Sequence, residues 1–144
     1  MIEQDTIKLL RECDAGVKMG VASINEVCDY VHNDKFKQCL TDCKNRHEKL
    51  RDEVELLLNE YHDEGKEPNP MAKSMSWMKT NVKLAFEDSD KTVADLITDG
   101  CNMGVKSLNR YLNQYEAADE TSKNIAKDLI QLEEQLAIDI RRFL

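Results

Sequence analysis

The chain has 144 residues, of which 33% are charged and 41% hydrophobic, with two prolines and a formal net charge of −8. That length suits one domain with a single core, and that composition suits amphipathic helices. The acid excess and the dispersed Lys and Arg residues speak against nucleic acid and anionic membranes, which are bound by neutralising phosphates. No apolar run approaches the ~20 residues of a transmembrane helix, and the opening Met-Ile-Glu-Gln-Asp lacks the basic and apolar regions of a signal peptide, so the expected location is the cytoplasm.

The first stripe, Leu10, Cys13, Val17, Gly20, Ile24, Val27 and Val31, steps by three and four and predicts a helix over 5–32. Asn33 or Asp34 is placed to cap a second helix over 34–64, whose stripe runs through Phe36, Leu40, Cys43, His47, Leu50, Val54, Leu57 and Tyr61. The run Gly65-Lys-Glu-Pro-Asn-Pro70 breaks the chain, and Asn69-Pro70 reads as the cap and first turn of a short helix. That helix carries Met71, Met75, Met78 and Val82 on one side and Trp77 with Leu84 on the other, a cluster suited to sealing the bundle. Two further stripes predict helices over 90–116 and 119–143. The linking segment of residues 65–89 spans about 37 Å if helical throughout. This is enough to run the bundle's length and set the second and third long helices parallel. The expected domain is thus residues 1–144, with hairpins at 5–64 and 90–144.

The two hairpins share a motif. Gly16-Val-Lys-Met-Gly-Val-Ala-Ser-Ile-Asn25 returns as Gly100-Cys-Asn-Met-Gly-Val-Lys-Ser-Leu-Asn109, and the first and third stripes match beyond it. A glycine inside a helix costs about 1 kcal/mol against alanine, so four of them at helical spacing need a reason. The expected reason is a close contact. Gly16, Gly20, Gly100 and Gly104 would let the first and third helices cross tightly, admitting backbone or a large partner side chain, with Met19 and Met103 filling the gaps. Room for a ligand on the pseudo-two-fold axis is the alternative.

A duplicated hairpin, a crossover and this length resemble the ferritin-like superfamily of four-helix bundles, in particular a bacterial group with a Met-Gly…Leu pattern in the first and third helices. In di-iron members the first and third helices each give a Glu, and the second and fourth each give an E-x-x-H pair. No E-x-x-H occurs in this chain; Lys44 stands three residues before His47, and the fourth helix has Glu133 and Glu134 but no histidine. The resemblance therefore implies the fold and argues against iron oxidation.

Five cysteines, an odd number with no C-x-x-C pair, are expected to be reduced thiols. Cys39, Cys43 and His47 are spaced i, i+4, i+8, and Cys28 with His32 forms another i, i+4 pair near the hairpin turn. Residues level across that turn would bring Cys28 beside Cys39. Thiolates and imidazoles are ligands for zinc or copper(I); equally, free cysteines serve as small core hydrophobes. With no phosphate loop, no G-x-S-x-G and no core carboxylate pair, the first expectation is a non-enzymatic structural or interaction protein, as a homodimer or with a protein partner. The alternative is a soft-metal or thiol-redox module built on Cys28, His32, Cys39, Cys43 and His47.

Overall fold

The computed structural model describes residues 2–67 and 89–144. The predicted short helix with Met71, Met75, Trp77 and Met78 lies outside the described residues. All regular structure within them is helical: α1 (Ile2–Cys28), α2 (Asp34–Glu60), α3 (Asp90–Gln114) and α4 (Glu120–Asp139), then a short 3-10 turn, Arg141–Phe143. Helix α1 packs on α2 and α3 on α4, and the two pairs join through α1 against α3 and α4 and through α2 against α4. The shared core includes Leu9, Val17, Phe36, Leu40, Val93 and Leu129.

Hydrogen bonds fix which ends meet. The backbone N–H groups of His32 and Asn33, at the start of α2, donate to the Asp90 carboxylate at the start of α3, at 2.7 and 2.9 Å. At the opposite end, Asp119 N–H donates to Thr6 Oγ1 at 2.9 Å and Ala117 N–H to Asp5 Oδ2 at 3.1 Å. The starts of α2 and α3 therefore lie together at one end, and those of α1 and α4 at the other. Side-chain caps set three of these starts: Asn33 accepts from Lys35 and Phe36 N–H, Ser89 from Thr92 N–H, and Asp119 from Ser122 N–H. Phe143, just past α4, stacks on Phe36 with ring centroids 4.6 Å apart.

The helices stop earlier than their stripes do. Helix α1 ends at Cys28 rather than residue 32, because Tyr30 and Val31 N–H close short turns on the Val27 and Cys28 carbonyls and tuck Val31 into the core. Helix α2 ends at Glu60 rather than residue 64. His62 adopts a left-handed φ of 55°, while its N–H bonds Asn59 O and the Asp63 N–H bonds Leu58 O, which is a Schellman stop. A β-carbon is disfavoured in that conformation. His62→Gly is expected to stabilise the fold by about 1 kcal/mol, read as a higher urea midpoint at unchanged slope.

After that stop the chain folds back along α1. Arg11 grips the Asp63 carboxylate, Lys66 Nζ meets Glu12 at 2.6 Å, and Lys18 Nζ lies 2.9 Å from Glu67. The Arg11 guanidinium holds the Asp63 carboxyl below its usual range. Beneath this strap Asp14 is buried, accepting from Lys66 N–H at 3.0 Å and pairing with Lys18 at 2.9 Å. Gly65, with φ of +84°, passes directly over the Asp14 carboxylate, where a β-carbon has neither the conformation nor the space.

Candidate functional site

Between α1 and α3 the described residues leave a groove of about 370 Å³. Its two walls are the two copies of the repeated motif: Gly16, Met19, Gly20 and Ser23 face Gly100, Met103, Gly104 and Ser107. Aliphatic side chains, among them Ile24, Ile97, Leu108 and Leu129, make most of the remaining surface. Glu12, Glu26, Lys66 and Tyr111 add polar groups.

The groove also reaches His47 from α2 and Glu133 from α4. His47 is 1% exposed and its Nε2 stands 3.0 Å from Glu133 Oε1. Its Nδ1 lies 2.8 Å from the Cys43 carbonyl and 3.4 Å from the Cys43 thiol. A carbonyl oxygen only accepts, so Nδ1 carries a proton; Nε2, facing a carboxylate, is set to carry another. Burial opposes that second proton, but the Cys43 and Glu133 contacts outweigh it and push His47 up to about 10. The imidazolium and carboxylate thus form a buried ion pair across α2 and α4. Burial, together with the negative charge of Glu133, holds the Cys101 thiol protonated well above its ordinary range.

This pair explains the glycines differently from the sequence. A β-carbon on Gly20 would stand 2.7 Å from His47 Cδ2 and Nε2, and one on Gly104 would stand 3.5 Å from Glu133 Cδ. One glycine of each motif copy therefore faces a polar side chain from the neighbouring hairpin helix. The expected tight crossing of α1 with α3 is corrected. Among the described residues, a β-carbon on Gly16 would have Leu129 Cδ2 at 3.6 Å, and one on Gly100 would meet nothing within 4 Å. Met103, 69% exposed, does not fill a gap.

The expected thiol cluster is only partly assembled. Cys43 and His47 are in contact, but both ring nitrogens are already engaged by the Cys43 carbonyl and Glu133. Cys28 and Cys39 are half-buried against the core, Cys39 near Asp139 and Arg142 at the end of α4, while His32 is exposed. All five cysteines are free. Burial pushes the Cys13 thiol up to about 12 and raises Cys39 as well. Among the described residues, no group of three or more His, Cys, Asp or Glu side chains is arranged to hold a metal ion. No described helix is long and apolar enough to cross a membrane.

Two members of the polar interior escaped the sequence reading, although the signal was there. Glu133 lies four residues after Leu129 and three before Leu136, and Asp14 four after Leu10 and three before Val17, so both occupy core-facing positions. No protein-family model, no curated protein and no solved structure matches this chain.

Proposed function

We propose that this is a non-enzymatic cytoplasmic protein of structural or protein-interaction role, whose working surface is the α1–α3 groove acting as a receptor for an apolar helical segment. The observation that carries the reading is the groove itself: an aliphatic trough flanked by small residues, of the kind that accepts a helix laid lengthwise. The polar groups at its base, His47 and Glu133, turn toward one another rather than toward a substrate. The fold proposed with it is ferritin-like, with a crossover and a short fifth helix within residues 65–89. Support comes from the shared end at which α2 and α3 begin, since the chain between them must return the length of the bundle.

The test places a benzophenone photocrosslinker at Met103, on the groove, and at Leu56, exposed on α2, in the purified full chain. Crosslinks to a polypeptide segment at position 103 and none at position 56 are expected; no crosslink at 103 would overturn the receptor reading. The same preparation, purified anaerobically, is expected to carry no stoichiometric zinc or copper(I). Bound metal that disappears in Cys39→Ser would move the assignment to a soft-metal module.

A further inference from the structure

We propose that residues 61–67, the strap folded back on α1, form a salt-sensitive latch whose release opens one end of the α1–α3 groove. This rests on the receptor reading above for what the groove admits, whereas the opening of the strap is measured without it.

Position ties the strap to the groove. Among the lining residues Glu12 is the earliest on α1 and Tyr111 the latest on α3. The start of α3 lies beside the end of α1, so the two helices run in opposite directions and these residues mark one end of the groove. Lys66 lines the groove with them, its Nζ 2.6 Å from Glu12 Oε1, and Tyr111 lies close enough to feel both charges. The strap therefore meets the groove at that end, through the Lys66–Glu12 pair.

What fastens the strap is charge. The run His62-Asp-Glu-Gly-Lys-Glu67 contains no apolar side chain, so burial in the core does not hold it. Its side-chain anchors are the ion pairs to Arg11, Glu12 and Lys18, in which Arg11 and Lys66 are 46% exposed and Glu67 is 78% exposed. Pairs so exposed contribute little each and weaken as salt screens them. Two hydrogen bonds complete the closed form: Gly65 N–H donates to Asp63 Oδ1 at 2.9 Å, and Lys66 N–H to Asp14 Oδ2 at 3.0 Å.

The group underneath favours opening. Asp14 is 1% exposed, and its Oδ1 has no hydrogen-bond partner among the described residues. A buried acceptor left unpaired carries a desolvation cost that water removes once the strap lifts. The body of α2 has no such weakness, since Val54 and Leu58 are anchored in the core. The strap is thus a unit that can open by itself while the bundle stays folded.

Amide exchange of the full chain, resolved residue by residue, reads the latch. Lys66 N–H should be far less protected than Val54 N–H. Its protection should fall several-fold between about 0.03 and about 0.5 M sodium chloride, as the screening length shrinks. Arg11→Gln frees Asp63 without changing a groove-lining residue, so Lys66 protection should fall several-fold at low salt and respond less to added salt. Arg46→Gln, at an exposed site on α2, should leave it unchanged. In Gly65→Ala the new β-carbon would overlap Asp14 Oδ2 at a φ of +84°, so the strap should stand open at every salt concentration while Val54 stays strongly protected.

Ser107→Cys reports the groove, whose wall it lines one turn before Tyr111. Its alkylation by N-ethylmaleimide, followed by peptide mass so that the five native thiols are told apart, should speed several-fold at high salt. Combined with Gly65→Ala it should be as fast at low salt. Lys66 protection equal to that of Val54, or unmoved by salt, would overturn the latch. So would a Gly65→Ala variant in which Val54 loses protection as completely as Lys66, because strap and bundle would then open as one. An opening strap with unchanged alkylation at position 107 would sever it from the groove and equally overturn the proposal. Crosslinking at position 103 enters none of these readouts, so failure of the receptor reading and failure of the latch are distinguished.

Discussion

Gly20→Leu is expected to lower the unfolding free energy by about 3 kcal/mol, the upper end of what overpacking a core normally costs. The β-carbon alone would stand 2.7 Å from two atoms of the His47 ring, well inside van der Waals contact. The ring has nowhere to retreat, because Nδ1 is tied to the Cys43 carbonyl at 2.8 Å and Nε2 to Glu133 at 3.0 Å. Moving it breaks at least one bond of a buried charge, and a buried donor without its acceptor adds about 1–3 kcal/mol. Gly104→Ala is the contrast. Its β-carbon would meet Glu133 at 3.5 Å, an ordinary contact, so the gain in helix propensity of about 1 kcal/mol should roughly offset any crowding. Urea unfolding of Gly20→Leu, Gly20→Ala and Gly104→Ala decides the matter. Equal behaviour at the two glycines would show that His47 is not what Gly20 accommodates.

The four long helices were legible because one rule sufficed: apolar residues at three- and four-residue spacing, bounded by Asn33, Ser89 and Asp119 as caps. The rule failed at helix ends, where backbone geometry rather than side-chain pattern decides. Nothing in the Tyr61-His62-Asp63 stripe announces that His62 takes a left-handed turn. The repeated glycines were legible as a constraint but not as a contact. Their spacing shows that something bulky must be admitted, yet the helix that supplies it depends on how α2 and α4 pack, and that is a tertiary fact. The ion pair itself was half legible. His47 stands on the apolar stripe of its helix, whereas Glu133 belongs to no E-x-x-H pair that would single it out. Treating any charged residue at a core-facing position as a buried partner in search of its mate would have paired them, and would have found Asp14 too.

Removing one half of that pair is the second large effect. Glu133→Ala is expected to destabilise the fold by about 3–5 kcal/mol near pH 6, because it leaves the His47 imidazolium buried without its counter-charge. The pH dependence follows from the direction of the shift. His47 titrates higher in the folded protein, near 10, than the ordinary 6.5 of an unfolded chain. Its contribution is therefore complete below about pH 6.5 and is lost as the pH rises toward 10, where the folded protein gives up the proton as well. Wild-type protein should accordingly lose stability across that window, and the penalty of Glu133→Ala should shrink across it. A double replacement, His47→Leu with Glu133→Leu, removes both charges and offers apolar volume to the same space. It should be more stable at pH 6 than Glu133→Ala, since exchanging a buried pair for packed hydrophobes is often neutral. Cys101 would then lose its carboxylate neighbour, so its thiol should titrate nearer the ordinary range in both Glu133 variants, measurable by the rate of alkylation against pH. A flat wild-type stability profile between pH 6.5 and 10 would mean that His47 is neutral in the native state. Its one proton would then sit on Nδ1 toward the Cys43 carbonyl, Nε2 would accept from a protonated Glu133 carboxyl, and Glu133→Gln, which also offers a donor, should be tolerated at every pH.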